Sequence, residues 1–229
     1  RKVFLIQPNT DYRAIQGDQA EKRAVEQSFA QSVLWGFTIE AQTKNAVLVE
    51  LSDFLLRDAM QVAVRIRKMQ QGNYVLERSR SALYVERIKN FPRNSEFEST
   101  LTFVSSDGSA GNFLQAVVPS AEAFTLRMHH SFIQLPEPGF QPRLFDPRSS
   151  FIPLTYFDYT TPVAEPLQQY YAIRHRLQKK DPSAPISDPV RPIIYYLDRG
   201  TPEPIRSALL EGASWWNQAF AAARYRNAF

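Results

Sequence analysis

Proline placement divides the chain into two parts that must fold differently. Fourteen of the 16 prolines lie between Pro119 and Pro204, and only Pro8 and Pro92 precede that stretch. Because proline donates no backbone hydrogen bond and has a fixed φ, it interrupts both helices and sheet ladders. Prolines recur seven times between Pro136 and Pro166. Long ladders and helices are therefore not expected in that segment.

The part before Pro136 alternates between strand and helix patterns, separated by turn residues. We predict strands at 3–7, 33–41, 46–51, 74–77, 81–90, 96–105, 113–118 and 123–135. The polar residues 42–45 predict a hairpin between the second and third strands. Helices are predicted at 18–32, capped by Asp18, and from Ser52 or Asp53 to Met69, where Gly72 supplies a stop. The fold class is α+β, with a mostly antiparallel sheet and a few packed helices.

The proline-rich segment 134–169 is also rich in aromatic residues, namely Phe140, Phe145, Phe151, Tyr156, Phe157 and Tyr159. Disordered linkers are usually poor in such residues. This composition predicts an extended segment that crosses a surface with its rings buried. A further strand is predicted at 170–177.

The last forty residues form a separate strand–helix unit in the sequence. The apolar run 190–198 predicts a buried strand, and residues 201–223 predict a helix with Thr201 as its cap and Pro202 in its first turn. One face of this helix is apolar; it consists of Ile205, Leu209, Ala213, Trp216, Phe220 and Ala223. One strand cannot cover that face, so we expect further partners for it. An ordinary helix that closes an α+β domain fits the pattern equally well.

Composition excludes several classes of chemistry. The chain has no cysteine, which excludes disulfides, thiol catalysis and cysteine–zinc sites. Its net charge of +4 is small and dispersed, so no nucleic-acid partner is expected. No apolar run approaches the roughly 20 residues of a membrane-spanning helix.

The three histidines, His129, His130 and His175, do not form a metal-binding pattern. The H-E-x-x-H helix motif is absent. His129 and His130 are adjacent on a predicted strand, so their side chains point to opposite faces. We expect His130 to be a hydrogen-bonded core residue.

The acidic residues also lack the partners that catalysis needs. Glu96 and Glu98 share a strand face, and Asp53 and Asp58 lie near one helix, with no histidine expected beside either pair. Salt bridges and helix caps explain them. We therefore predict no catalytic residue, no cofactor-binding residue and no metal ligand in this chain.

Five sequence blocks, taken in order, resemble large bacterial zinc-dependent metalloproteases. The blocks are RMHHSFIQLP at 127–136, PRLFDPR at 142–148, PIIYYLD at 192–198, PIRSALLEG at 204–212 and WNQAF at 216–220. In that family an accessory domain of unknown function precedes a metzincin-like catalytic domain. The chain departs from the family pattern at Ser149-Ser150 and at Arg224, where the family commonly has glycine.

The resemblance implies an exported bacterial protein, periplasmic or secreted, that hydrolyses peptides with a zinc-bound water. Residues 1–180 would be the accessory domain, and residues 190–229 would be the first strand and helix of the metalloprotease domain. The zinc-binding helix lies further downstream in the family. The chain is therefore expected to be an inactive fragment, with zinc held only by the parent protein.

Two functions remain open at this point. In the first, the chain scaffolds or shields the catalytic domain, and its partners are the remainder of that domain and the parent's peptide or protein substrate. In the second, it is a stand-alone peptide- or glycan-binding module that uses Phe151, Tyr156, Phe157 and Tyr159. Rings packed against the helix 205–220 would favour the scaffold, and rings lining an open groove would favour the binding module.

Overall fold

A computed structural model describes residues 1–229. Its ten strands are β1 Lys2–Gln7, β2 Tyr12–Arg13, β3 Ser32–Gln42, β4 Val47–Val49, β5 Tyr74–Leu83, β6 Lys89–Phe91, β7 Asn94–Ser105, β8 Ala123–Ile133, β9 Pro153–Asp158 and β10 Gln168–Ala172. Its six helices are α1 Gln19–Ser28, α2 Ser52–Leu55, α3 Val62–Lys68, α4 Asn112–Gln115, α5 Ile205–Ser214 and α6 Trp216–Ala222. Strand exceeds helix and most pairing is antiparallel, which confirms the predicted α+β class.

The chain divides into two compact units. Residues 1–10 and 26–138 form the N-terminal unit, and residues 11–25 and 139–229 form the C-terminal unit. The division at 138/139 lies close to Pro136, where long ladders were expected to stop. The domain limits at 180 and 190 stay a prediction.

Two antiparallel sheets build the N-terminal unit. One has the order β1-β3-β4, and the predicted hairpin is confirmed by the N–H of Thr43, which donates to the carbonyl of Ala46 at 2.8 Å. In the other sheet, β7 pairs with β5 and β6 and also with β8. The β7–β8 ladder is unbroken from Asn94–Ile133 to Val104–Ala123, and it places the residues discussed below opposite one another.

The core of the N-terminal unit has two apolar clusters. Tyr74, Leu101, Phe103 and Met128 form one of them. The second forms around Phe54, with Phe37 and Leu55. The phenol of Tyr74 donates to the carbonyl of Ala121 at 2.6 Å, so its polar end stays satisfied while the ring is buried.

The single helix predicted from residue 52 to 69 is wrong. It is two helices, α2 and α3, and Gln61 before α3 has a left-handed φ of 53°. The carboxylate of Asp58 accepts from the N–H groups of Val62 (2.8 Å) and Ala63 (3.0 Å), which caps α3. The apolar spacing continued across the break because Ala59, like Val62, packs on the same core cluster.

Two other predicted elements need correction, and one cap is confirmed. The strand predicted at 113–118 is the short helix α4. The first helix ends at Ser28 instead of residue 32. Asp18 caps it as predicted: its Oδ1 accepts from the N–H groups of Ala20 and Glu21, and its own N–H donates to Glu21 Oε2.

Asp107 organises the loop that follows β7. Its Oδ1 accepts from the hydroxyl of Ser109 (2.7 Å), the N–H of Ser109 (3.0 Å) and the hydroxyl of Ser105 (3.1 Å). These hydrogen bonds, with those from Ser109 the strongest, lower the pKa of Asp107 from 3.8 to about 2. The carboxylate is therefore charged in the folded loop.

Asp107→Asn is expected to reduce the acid sensitivity of the N-terminal unit. A depressed folded-state pKa contributes stability that is complete above the unfolded pKa near 4 and is lost as pH falls towards about 2. The variant should be less stable at neutral pH and lose less stability between about pH 4 and about pH 2. Urea unfolding across that range measures both effects. Ser109→Ala should act in the same direction. Equal losses of stability in the wild-type protein and both variants as the pH falls would contradict the role of these hydrogen bonds in lowering the pKa of Asp107.

The C-terminal unit contains a three-stranded sheet of order β10-β9-β2. β9 pairs antiparallel with β10 and parallel with β2. The strand predicted at 170–177 is β10, which begins earlier and is shorter.

The six aromatic rings predicted to be buried differ in their exposure. Tyr156 is fully buried, with 1% exposure, and Phe145 is half-buried. The other four are Phe140, Phe151, Phe157 and Tyr159, which are 36–45% exposed.

The strand–helix unit at the end of the chain also differs from the prediction. Residues 192–198 contain no turn or bend but join no sheet, so the predicted strand 190–198 is wrong. The predicted helix 201–223 is two helices, α5 and α6, that meet at Trp215. Helix α5 begins at Ile205, and its N-cap residue is Pro204, which makes no side-chain capping hydrogen bond. Thr201 is therefore not the cap, and Pro202 is not in the first turn.

Arg224 ends α6 in the conformation that glycine usually adopts. Its φ is 64°, its N–H donates to the carbonyl of Ala221, and the N–H of Tyr225 donates to the carbonyl of Phe220, both at 2.9 Å. These two bonds make a Schellman motif. The chain path after Ala223 is therefore the one expected with glycine, although arginine occupies the position.

Arg224→Gly is expected to stabilise the C-terminal unit by about 1 kcal/mol, because a left-handed conformation costs a side-chain-bearing residue about that much. Ala221→Gly in α6 is the matched control and should destabilise by a similar amount. Urea unfolding followed by the fluorescence of Trp215 and Trp216 in a Trp35→Phe background reports on this unit. Equal destabilisation by both glycines would show that Arg224 is unstrained.

Candidate functional site

The cross-strand register of β7 and β8 creates a polar cluster on one exposed sheet face. Glu98 lies opposite His129, and Glu96 lies opposite Ser131. His129 Nε2 is 2.7 Å from Glu96 Oε2 and 3.2 Å from Ser131 Oγ, and His129 Nδ1 is 3.7 Å from Glu98 Oε1. The expectation that no histidine accompanies Glu96 and Glu98 was therefore wrong. We call Asn94, Glu96, Glu98, His129 and Ser131 the β7–β8 polar cluster.

Hydrogen bonds from Ser131, then Asn94, then His129 lower the pKa of Glu96. Glu96 is thus an ionised acceptor shared by the serine and the histidine. Serine catalysis needs the histidine between the serine and the carboxylate, with one ring nitrogen for each. Here the Ser131 hydroxyl donates directly to Glu96, so its proton is not directed at His129. The arrangement is a surface network of hydrogen bonds.

His130 faces the other side of the sheet, as predicted. It packs against the ring of Phe54 with centroids 6.2 Å apart. Burial first, and then the charge of Arg57, lower the pKa of His130, while a hydrogen bond with the Leu55 backbone opposes them. Its Nε2 has no hydrogen-bond partner, so the predicted core histidine is only partly satisfied.

The third histidine is in the C-terminal unit and lies apart from any carboxylate cluster. His175 lines an apolar cavity of about 400 Å³ with Ile193, Tyr195, Trp216 and Phe220 among its neighbours. No group of three or more His, Asp or Glu side chains is arranged to hold a metal ion. The prediction that this chain holds no metal ligand stays a prediction.

An aromatic face lies on the β2–β9 edge of the C-terminal sheet. Tyr12 stacks on Phe157 with centroids 5.5 Å apart, and Tyr159 lies 6.5 Å from Tyr12. Tyr156 turns inward, where it stacks on Tyr171. Phe157 and Tyr159 therefore contact Tyr12, and Tyr156 contacts Tyr171, and the choice between a scaffold and a binding module stays open.

A group of exposed apolar residues lies at the end of the chain. We call it the C-terminal apolar surface; its members are between 49% and 92% exposed and are Ile194, Tyr195, Tyr196, Ile205, Leu209, Leu210, Trp215 and Trp216. Several of them line a groove of about 630 Å³ between residues 192–197 and helix α5. Monomeric proteins rarely expose contiguous apolar patches of this kind without a binding role. The helix face predicted to need partners is thus open.

Comparison with known proteins identifies a family for most of the chain. The model of a domain of unknown function, DUF5117, matches residues 1–180. The chain belongs to this family. The DUF5117 match ends at the polar connection 179–185, and the C-terminal apolar surface lies wholly beyond it. No curated protein and no solved structure shows significant similarity to this DUF5117 chain.

Membrane association through a spanning helix was not expected from the sequence. The structure agrees, since none of its helices has the length and apolar character needed to cross a bilayer.

Sequence reasoning missed the β7–β8 polar cluster but had a signal for it. Glu96 and Glu98 are two residues apart, as are His129 and Ser131, so each pair shares a strand face. Only the register of the two strands shows that the two faces coincide.

Proposed function

We propose that this DUF5117 chain is a non-catalytic part of an exported bacterial zinc-dependent metallopeptidase, and that it supports the peptidase domain through the C-terminal apolar surface. One observation supports the proposal. The blocks at 192–198, 204–212 and 216–220, which carry the resemblance to that class, contain every residue of this surface except Trp215.

The energetic argument rests on the exposed rings. Trp215 and Trp216 are 63% and 59% exposed, and Tyr196 is 92% exposed. Covering one large apolar side chain contributes about 1.5–3 kcal/mol. A peptidase domain that covered several of them would gain enough to hold the two parts together. The parent's substrate is a peptide or protein, and its zinc would be held outside this chain.

A peptidase assay tests the proposal on this chain and on the longer polypeptide that the proposal implies. The longer protein should hydrolyse a labelled protein substrate, lose activity with a chelator and regain it with zinc. The chain of 229 residues should show no turnover under the same conditions. Zinc-dependent turnover by this chain, or none by the longer protein, would refute the proposal.

The role of the surface is tested separately, by charge substitution in the longer protein. Trp216→Glu should weaken the seating of the peptidase domain and lower its midpoint of thermal inactivation. Phe113→Glu is the matched control, since Phe113 is 79% exposed in the N-terminal unit. Equal midpoints in the two variants would argue against docking at this surface.

A second function, binding of peptides or glycans, has one observation in its favour. The stacked pair Tyr12–Phe157, with Tyr159 beside it, presents partly exposed rings on one edge of a sheet. Aromatic faces of this kind stack on sugars and on proline-rich peptides. Titration of the chain with each class of ligand, with Tyr159→Ala as the variant and Tyr170→Ala as the control, would detect such binding.

A further inference from the structure

Strand β5 lies at the edge of its sheet, and one of its sides is open. Its only strand partner is β7, and their pairing is regular from Tyr74 to Glu77, after which the register shifts. The carbonyl of Asn73 accepts from the N–H of Ser106 at 2.9 Å, so the backbone of Asn73 faces β7. Because backbone groups alternate along a strand, those of Tyr74 and Leu76 face away from β7. An edge of this kind is a template on which another strand can pair.

Helix α3 forms the second wall of a groove along this open edge. The groove has a volume of about 540 Å³ and is lined by Ala63, Val64 and Arg67 of α3 and by residues 73–76. All of them belong to the N-terminal unit. Val75, in the strand wall, is 58% exposed. An extended peptide in this α3–β5 groove would hydrogen-bond to β5 and place apolar side chains against the helix.

The end of the groove beside the start of β5 carries an unpaired positive charge. Arg67 and Asn73 also line an adjoining polar cleft of about 380 Å³, together with Gly72. The guanidinium of Arg67 makes no hydrogen bond or ion pair, and the N–H groups of Gly72 and Asn73 have no backbone partner. Asp107 in the neighbouring loop does not line the cleft, and Ser109 bonds its carboxylate. A guanidinium with free amides beside it matches a carboxylate.

The opposite charge at the other end of the groove sets the direction of a bound peptide. Asp58 lines the groove where α3 begins, whereas Arg67 is in the last turn of the helix. Residues 69–73 join α3 to β5, so the C-terminal end of the helix lies beside the start of the strand. A peptide with its carboxylate at Arg67 would therefore run antiparallel to β5, with its preceding residues towards Asp58.

We propose that the α3–β5 groove binds the carboxyl-terminal end of an extended peptide, which adds to β5 as an antiparallel strand and places its terminal carboxylate at Arg67. Tyr74 and Leu76 would each exchange backbone hydrogen bonds with the peptide. The guanidinium of Arg67 and the N–H groups of Gly72 and Asn73 would hold the charged end. This site lies in the N-terminal unit and is independent of the proposed peptidase function.

A short labelled peptide of valine and threonine, residues that favour strands, tests the site in the chain of 229 residues. The peptide with a free carboxylate should bind about tenfold more tightly than the same peptide with a C-terminal amide, because the amide carries no charge for Arg67 to pair with. Arg67→Gln should abolish this preference. Arg65→Gln is the matched control, since Arg65 is on the same helix but lines neither the groove nor the cleft.

Both variants should unfold in urea at the midpoint of the wild-type protein, because both side chains are exposed. A loss of preference in Arg67→Gln would then report on binding and not on folding. Equal affinity of the wild-type protein for the two peptides, binding of neither, or a preference that survives in Arg67→Gln would overturn the proposal.

Hydrogen exchange resolved to single residues tests the added strand. With the free-acid peptide in excess, the amides of Tyr74 and Leu76 should exchange at least about tenfold more slowly. The amide of Val75, which already faces β7, should slow less. Binding without slowing at Tyr74 and Leu76 would overturn the proposed strand pairing. Protection of these two amides that appears without peptide and rises with protein concentration would assign the edge to a second copy and overturn the proposal.

Discussion

Replacement of Phe103 by alanine is expected to lower the free energy of unfolding of the N-terminal unit by about 3–5 kcal/mol. Phe103 is fully buried in the cluster with Tyr74, Leu101 and Met128, and its ring stacks on Phe124 at 5.2 Å. Alanine would leave a cavity between two strands held in register, β7 and β8, that cannot easily close. The loss is therefore expected at the upper end of single substitutions.

Urea unfolding followed by the fluorescence of Trp35, in a background with phenylalanine at 215 and 216, reports on this unit. Phe113→Ala is the control, because Phe113 is 79% exposed and its removal should change stability by less than about 0.5 kcal/mol. Similar losses in Phe103→Ala and Phe113→Ala would contradict the assignment of Phe103 to the core.

Tyr156→Ala is expected to destabilise the C-terminal unit by about 3 kcal/mol or more. The Tyr156 side chain is 1% exposed, stacks on Tyr171 at 5.7 Å and has the guanidinium of Arg13 over its ring at 4.4 Å. Burial and a hydrogen bond with Tyr171 raise the pKa of Tyr156, so the phenol is neutral. Alanine would remove the ring that both Arg13 and Tyr171 contact.

Two further variants provide comparisons for the loss of stability in Tyr156→Ala. Tyr156→Phe keeps the ring and removes one hydrogen bond, so its cost should be about 1 kcal/mol. Tyr170→Ala, on the neighbouring strand but 43% exposed, should cost less than Tyr156→Ala by about 2 kcal/mol. Fluorescence of Trp215 and Trp216 during urea unfolding measures all three. Equal losses at 156 and 170 would show that this sheet lacks the inferred core.

Elements whose partners are close in sequence could be predicted. The hairpin of β3 and β4 and the cap at Asp18 depend on residues within a few positions, and both are confirmed. The α2–α3 break could not be predicted, because apolar spacing continues through residues 56–61, which separate the two helices and include the left-handed Gln61. Periodicity shows which residues are buried, but it does not show the backbone angles between them.

Elements that depend on distant partners were predicted less well. Residues 192–198 have a strand composition, yet a strand needs a ladder, and among residues 193–197 only Ile193 has a backbone hydrogen-bond partner. His129 and Glu96 are brought together by strand register, which single-residue patterns do not encode. At Arg224 the backbone has the left-handed conformation that glycine usually adopts, although the sequence has arginine there. The residue type at this position therefore did not predict the backbone conformation.

The assignment of residues 11–25 to the C-terminal unit has a consequence for synthesis of the chain. Tyr12 leaves the ribosome well before its sheet partner Phe157 is made. At roughly 5–20 residues per second, this segment waits on the order of ten seconds before it can pair. A nascent chain released soon after residue 138 would therefore complete one unit while keeping an unpaired arm of the other.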